Sequence, residues 1–205
     1  MKKYHNERDV EIPLLKNFLT KYDGNYSSVL EVGCAFAGYT PDVRLLIGEY
    51  HGIDIIYDSA VSASLDKYII SDFLYEELPA YDLIFSVSVL EHIGVEYTPT
   101  KLHRELQMFA IEKMIRLARM AVFLTFPYGE AILFAGKFRN FCRKDLVEIK
   151  RINHNQDYKK IFISTPDPAD PMSWREIPQE LADKSTQGNG DQVNTVCVLE
   201  INCSK

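Results

Sequence analysis

The sequence predicts a doubly wound α/β sheet, and three observations carry that expectation. Short apolar runs alternate with amphipathic stretches from residue 28 to 126, in the order β-α-β-α-β-β-α-β. The runs have few polar positions, as strands buried on both faces must. The first, SVLEVG (28–33), opens into CAFAGYT, a glycine-containing loop with the shape of a nucleotide loop closing a buried strand.

IPLLKNFLTKY (12–22) has helical apolar spacing and stops at Asp23-Gly24. SVLEVG is the first strand, and Thr40-Pro41 then offers an N-cap and a first-turn proline for a helix reaching about Tyr50. YHGIDII (50–56) is the second strand, DSAVSASLD (58–66) a short helix, and YIISDF (68–73) the third strand. YDLIFSVSV (81–89), rich in β-branched and aromatic residues, is the fourth, with room for a helical turn behind it. A long helix from about Thr100 to Arg119 sets Leu102, Leu106, Phe109, Met114 and Leu117 roughly on one face. AVFLTFPYG (121–129) is a fifth strand broken by Pro127.

The last third changes character. CRKDLVEIKRI (142–152) reads as a helix and KKIFIST (159–165) as a strand, while TPDPADPMSW (165–174) is too proline-rich for regular structure. QVNTVCVLEINC (192–203) alternates as a closing strand, and the two late strands suit an antiparallel pair at one sheet edge.

A chain of 205 residues accommodates one domain with a full core. We divide it into an N-terminal helical segment (1–25), a cofactor-binding core (26–130) and a substrate-side and closing region (131–205). The net charge of −6 gives no electrostatic reason to expect nucleic acid or an anionic membrane as partner. KFRNFCRK (137–144) is the basic cluster, and its interleaved aromatics read as a half-buried helix start. Cys34, Cys142, Cys197 and Cys203 form no C-x-x-C pair or zinc spacing, so buried thiols in a cytoplasmic protein are expected, with no metal. MKKYHNERDVEIPLL lacks an apolar signal core, and no run approaches the ~20 apolar residues of a membrane span.

In an open α/β sheet, ligands sit beyond the carboxyl ends of the strands, so the residues ending each strand are the candidates. Gly33 permits a tight turn and close backbone approach. Gly33, Ala35 and Gly38 occupy the dinucleotide pattern G-x-G-x-x-G. Glu31, Gly33, Ala35 and Ala37 equally occupy the acidic-x-G-x-G-x-G pattern of S-adenosylmethionine enzymes. Glu31 would repel a pyrophosphate and attract an ammonium, although a carboxylate capping a turn explains it as well. Asp54, ending the second strand, can accept both hydroxyls of a ribose from either cofactor. Asp72 can accept from an adenine amino group with Phe73 or Ile55 against the ring, or can be a plain turn aspartate.

Glu91 and His92, after the fourth strand, are candidate general bases, His92 the better placed because an ordinary imidazole titrates near neutral pH. Both can instead simply fix a loop. Tyr128, in FPYG, is a candidate acceptor contact or part of a structural turn.

Taken in order, Glu31-x-Gly33, Asp54, Asp72, YDLIFSVSVLEHIG and LTFPYG resemble the motif series of class I S-adenosylmethionine-dependent methyltransferases over roughly residues 26–130. SVSVLEHIG with a later TFPYG and Trp174 is similar to small bacterial members associated with sugar or surface-glycan biosynthesis. The resemblance implies a Rossmann-like, three-layer, mostly parallel seven-stranded sheet whose final strand is inserted antiparallel. It implies S-adenosylmethionine as cofactor, with the 33–38 loop around its methionine part and Glu31 near the amino group. Asp54 would then hold the ribose, Asp72 the adenine amino group, and Ser86–Val87 would run along its back. Ala35 and Ala37 depart from the pattern, since glycine there permits φ > 0; a positive φ carried by Gly38 would restore the turn.

The activity so implied is methyl transfer to a small polar acceptor, a sugar or another metabolite bearing a hydroxyl or amine. Two other readings stay open. One is an NAD(P)-dependent oxidoreductase, whose proton-donor pair Tyr-x-x-x-Lys occurs at Tyr97 and Lys101 but is interrupted by Pro99. The other is a non-catalytic binding protein that retains a methyltransferase-like fold.

Overall fold

The computed structural model describes residues 7–94, 102–130, 133–134, 138–154, 156, 158–166, 173–186 and 193–203. Tyr97 and Lys101 fall outside them.

Helix α1 (Arg8–Lys21) leads into β1 (Ser28–Val32), α2 (Thr40–Arg44), β2 (Glu49–Asp54), α3 (Ser59–Ser62), β3 (Lys67–Ile70) and β4 (Tyr81–Val87). A 3₁₀ turn at Leu90–His92 precedes α4 (Leu102–Leu117) and β5 (Ala118–Pro127). A short hairpin, β6 (Leu133–Phe134) and β7 (Phe138–Arg139), is followed by α5 (Arg143–Ile152) and β8 (Lys159–Ser164). The chain then forms β9 (Arg175–Ile177), α6 (Gln179–Ala182) and β10 (Thr195–Asn202).

One eight-stranded sheet runs in the order β3-β2-β1-β4-β5-β10-β8-β9. The first five strands of this row are mutually parallel, and β10 lies antiparallel between β5 and β8. The chain moves outward from β1 to β3 and returns to β4, so the topological switch lies between β1 and β4. Strand alternation distributes the core to both faces. Leu83, Phe85 and Val87 of β4 pack with Phe123 against Leu15, Phe18 and Leu19 of α1. On the other face Ile84, Val122 and Leu124 pack with Ile111 and Met114 of α4. These are the outer layers of a three-layer arrangement.

The expected inserted strand is found, and the sheet carries an eighth strand, β9, where the proline-rich segment ends. The helix expected to reach Tyr50 ends at Arg44. The Arg44 guanidinium donates to the Ile47 and Gly48 carbonyls at 2.8 and 2.7 Å, and β2 begins at Glu49. β4 ends at Val87 because Ser88 takes φ 47°. Within the basic cluster Arg139 is drawn inward: it donates to the buried Asp145 at 2.8 Å, and Arg104 of α4 donates to the same carboxylate at 2.7 Å.

Lys113 of α4 reaches under the loop that follows β3. Its buried ammonium donates to the carbonyls of Phe73, Leu74 and Glu76 at 2.6, 3.3 and 2.6 Å and lies 4.9 Å from the Phe73 ring centroid. Three acceptors match the three N–H donors of an ammonium, which is how a lysine is tolerated there. No described helix is long and apolar enough to cross a membrane.

Candidate functional site

A cleft of about 1000 Å³ opens at the carboxyl ends of β1, β2 and β4, over the switch point. The loop after β1 forms its floor. Gly33 stands at φ +81°, and a Cβ there would lie 2.4 Å from the Val89 methyl carbons, so the turn needs glycine for both conformation and space. Ala35 and Ala37 avoid the left-handed region, and so does Gly38. The residue that enters it is Phe36, at φ 62°. Its N–H donates to Asp58 Oδ2 at 3.0 Å, while the ring is 76% exposed at the cleft mouth. Asp58 also accepts from Ala60 and Val61, capping α3. The compensating glycine expected at position 38 is therefore not used that way; a carboxylate 22 residues on holds Phe36 in the turn instead.

Asp54 ties the loop to the end of β2. Its Oδ2 accepts from Ala35 N and its Oδ1 from Ile56 N, each at 2.9 Å. Each carboxylate oxygen has a further lone pair, so these two bonds fix its orientation without exhausting its capacity as an acceptor. Ile55 and Ile56 beside it, and Asp72, Phe73 and Leu74 after β3, complete this end of the wall. Asp72 Oδ1 accepts from Leu74 N at 2.9 Å, so the turn role suggested by sequence is present, on the wall of the same cleft.

The opposite end is built by Val87–Val89, His92–Gly94 and the first turns of α1. The Ser88 hydroxyl donates to Glu11 Oε1 at 2.6 Å, and Arg8 Nη1 donates to Glu11 Oε2 at 2.6 Å. Glu11 is fully buried. The left-handed conformation of Ser88 is thus held by a buried carboxylate from α1 on one side and by its N–H to Thr125 O at 3.1 Å on the other.

Of the residues singled out by sequence, Gly33, Ala35, Gly38, Asp54, Ile55, Asp72, Phe73 and His92 all line this cleft. Four do not. Glu31 is fully buried beneath the loop, accepting from the Tyr39 hydroxyl at 2.7 Å and from the Tyr50 hydroxyl. Burial pushes its carboxyl up to about 7, against the opposing pull of the two phenols. Tyr39, not Glu31, is what reaches the wall. Ser86 sits one position before the cleft-lining Val87, and its hydroxyl donates to Val32 O at 3.0 Å inside the sheet. Tyr128 is fully buried, with its hydroxyl donating to Asp183 Oδ1 at 2.5 Å.

Glu91 lies behind the wall. Gln107 Nε2 donates to its backbone carbonyl at 3.3 Å, and its carboxyl Oε2 is buried with no hydrogen-bond partner among the described residues. Its Oε1 is 4.0 Å from His92 Nε2, too far for a hydrogen bond. Sequence reasoning missed Arg8, Asp9, Tyr39 and Asp42; only the three charged residues at the start of RDVEIPLL hinted that this turn faces something other than the core.

Burial pushes the Glu91 carboxyl from 4.5 up to about 8. The native state therefore holds this proton more tightly than the unfolded chain, and burying Glu91 costs stability progressively as pH rises from about 4.5 to about 8. Glu91→Gln carries no such proton. We expect its melting temperature to exceed that of the parent protein by a few degrees above pH 8 and the gap to close toward pH 4.5. Calorimetry across that range checks this, and parallel melting curves would contradict it.

No protein-family model and no curated protein sequence matches the chain. Solved structures do. Magnesium protoporphyrin IX methyltransferase from Synechocystis PCC 6803, with bound S-adenosylhomocysteine, superposes with a TM-score of 0.60 at 13% identity, over 95% of this chain and 83% of that one. The N-methyltransferase NodS from Bradyrhizobium japonicum WM9, with the same ligand, gives 0.57 at 16% identity, over 96% and 87%. The 1,6-didemethyltoxoflavin-N1-methyltransferase of Burkholderia thailandensis gives 0.55 at 13%, over 98% and 84%. With its strand order, inserted antiparallel strand and cleft over the β1–β4 switch point, the chain has the fold of the class I S-adenosylmethionine-dependent methyltransferases.

Proposed function

We propose that the protein is an S-adenosylmethionine-dependent methyltransferase acting on a small polar acceptor, a sugar or another metabolite bearing a hydroxyl or amine. The observation that carries this reading is the charge of the cleft wall. It bears Asp9, Asp42, Asp54 and Asp72 against one arginine and one histidine. A dinucleotide pyrophosphate needs the N-terminus of a well-formed helix. Here the helix after the loop is five residues long and carries Asp42 in its first turn. A cationic ligand suits that field, and a pyrophosphate does not.

The residues present fit the cofactor. Asp54 would accept the ribose hydroxyls, Asp72 the adenine amino group with Phe73 and Ile55 on the ring, and the 33–38 loop would surround the methionine part. Glu31 would act from below, through Tyr39. Bound there, S-adenosylmethionine supplies a methyl group already activated on a sulfonium. The chain's own task is then to align the acceptor and exclude water. His92, half-exposed on the wall at the α1 end, is our candidate to take the proton of a hydroxyl acceptor. Glu91, buried behind the wall with Oε1 4.0 Å from His92 Nε2, would not touch the acceptor, so the proton transfer rests on His92 alone.

Calorimetric titration with S-adenosylhomocysteine and with NADH tests the reading. Binding of NADH alone would overturn it, and binding of the first without turnover of any acceptor would favour a non-catalytic binding protein. For a hydroxyl acceptor, His92→Ala should lower turnover about 100-fold while cofactor affinity stays within about twofold. Release of S-adenosylhomocysteine is the measure, and unchanged turnover would remove His92 from the mechanism.

A further inference from the structure

We infer that the first turn of α1 recognises the amino-acid half of the ligand, Arg8 receiving its α-carboxylate; this rests on the methyltransferase reading above. Among the described residues of the cleft wall, Arg8 is the one lysine or arginine. Its guanidinium bonds Glu11 at 2.6 Å, and Glu11 in turn accepts from Ser88 just past the end of β4, so Arg8 stands on the wall beside the ends of β1 and β4. That is the switch point, at the opposite end of the cleft from Asp72 and Phe73.

The guanidinium is anchored from behind. Nη1 donates to Glu11, Glu11 accepts from Ser88, and Ser88 is held to β5 through Thr125. The Glu11 side chain is fully buried, whereas the Arg8 side chain keeps 35% of its surface exposed and lines the cleft. A guanidinium presents its donors in a planar fork with several edges, so one arginine can serve a protein carboxylate and a ligand carboxylate together. The neighbouring acids complete the match to a zwitterion. Asp9 stands on the same wall, Asp42 beside it is shared with Lys16 at 3.2 Å, and the Tyr39 hydroxyl that covers Glu31 has an acceptor oxygen; these are the groups available to an α-ammonium beside the carboxylate held by Arg8.

The carboxylate could belong to the cofactor or to the acceptor, and two nucleosides separate these sources. S-adenosylhomocysteine carries the amino-acid tail, and 5′-methylthioadenosine lacks it. Calorimetry on the parent chain should show S-adenosylhomocysteine binding at least about tenfold more tightly. Arg8→Gln should weaken S-adenosylhomocysteine about 10–100-fold and leave 5′-methylthioadenosine within about twofold; Arg8→Lys, which keeps the charge and loses the fork, should fall between. Arg8→Gln weakening both nucleosides alike would mean a structural role and overturn the inference. So would unchanged S-adenosylhomocysteine affinity, which would leave the carboxylate to the acceptor. Failure of the parent chain to bind either nucleoside would instead overturn the methyltransferase reading itself.

Discussion

Asp54→Ala should lower the affinity for S-adenosylhomocysteine by about 100-fold or more, and calorimetric titration will read this directly. Two losses combine. The carboxylate accepts from the ribose in the proposed complex, and it holds the backbone of Ala35 and Ile56 before any ligand arrives. Hydrogen bonds to a charged acceptor contribute about 1.5–3 kcal/mol each, so removing a ribose pair alone corresponds to a change of roughly 100-fold at the least. Releasing the loop adds to it. Asp54→Asn is the informative companion, because its amide keeps one acceptor but turns an NH₂ toward a backbone donor; it should fall between. An Asp54→Ala protein that folds and binds with parent affinity would show that the ribose assignment is wrong.

Gly33→Ala is expected to be among the most destabilising changes possible in the loop, whereas Gly38→Ala five residues later should be close to neutral. At Gly33 the left-handed φ costs a side chain about 1–2 kcal/mol, and overlap with both Val89 methyls adds about 1–3 kcal/mol. For a chain of this size the sum lowers the melting temperature by roughly 5–15 °C. At Gly38 the backbone is not left-handed and an added Cβ meets nothing within 4 Å, so alanine there should change stability by less than about 1 kcal/mol. Thermal denaturation of the two variants side by side checks the conformation of the loop, and equal melting temperatures would refute it.

Much of this was legible in the sequence because strand order in a doubly wound sheet follows from a short list of rules, and strand ends mark where a ligand can sit. Asp54 and Asp72 follow from that geometry alone. The residues that went astray did so for particular reasons. Glu31 ends its strand as expected, but two tyrosines, 8 and 19 residues further on, close over it, a pairing that no local pattern announces. Ser86 and Val87 differ by one step of the pleat. The apolar residues on both sides of β4 hide which of the two turns to the cleft. The helix α1 looked like an ordinary packing helix because Leu15, Phe18 and Leu19 dominate its pattern, while its work at the cleft depends on one turn at its start. Phe36 could not be anticipated at all. Its left-handed backbone is stabilised by Asp58, a contact that exists only once the α3 cap has formed.

The position of β10 constrains how such a chain can be assembled as it is synthesised. Among the described strands, β8 pairs only with β10 and β9, and β5 pairs on its outer side only with β10. The two parts of the sheet therefore remain unjoined until residues 195–202 have left the ribosome, although β1 to β5 and the whole described cleft wall lie in the first 127 residues. During that interval the outer edge of β5 offers unpaired backbone groups beside Val122, Leu124 and Phe126. Such an edge invites pairing with another nascent chain. A protein built this way completes its cleft early and covers the edge of its sheet late.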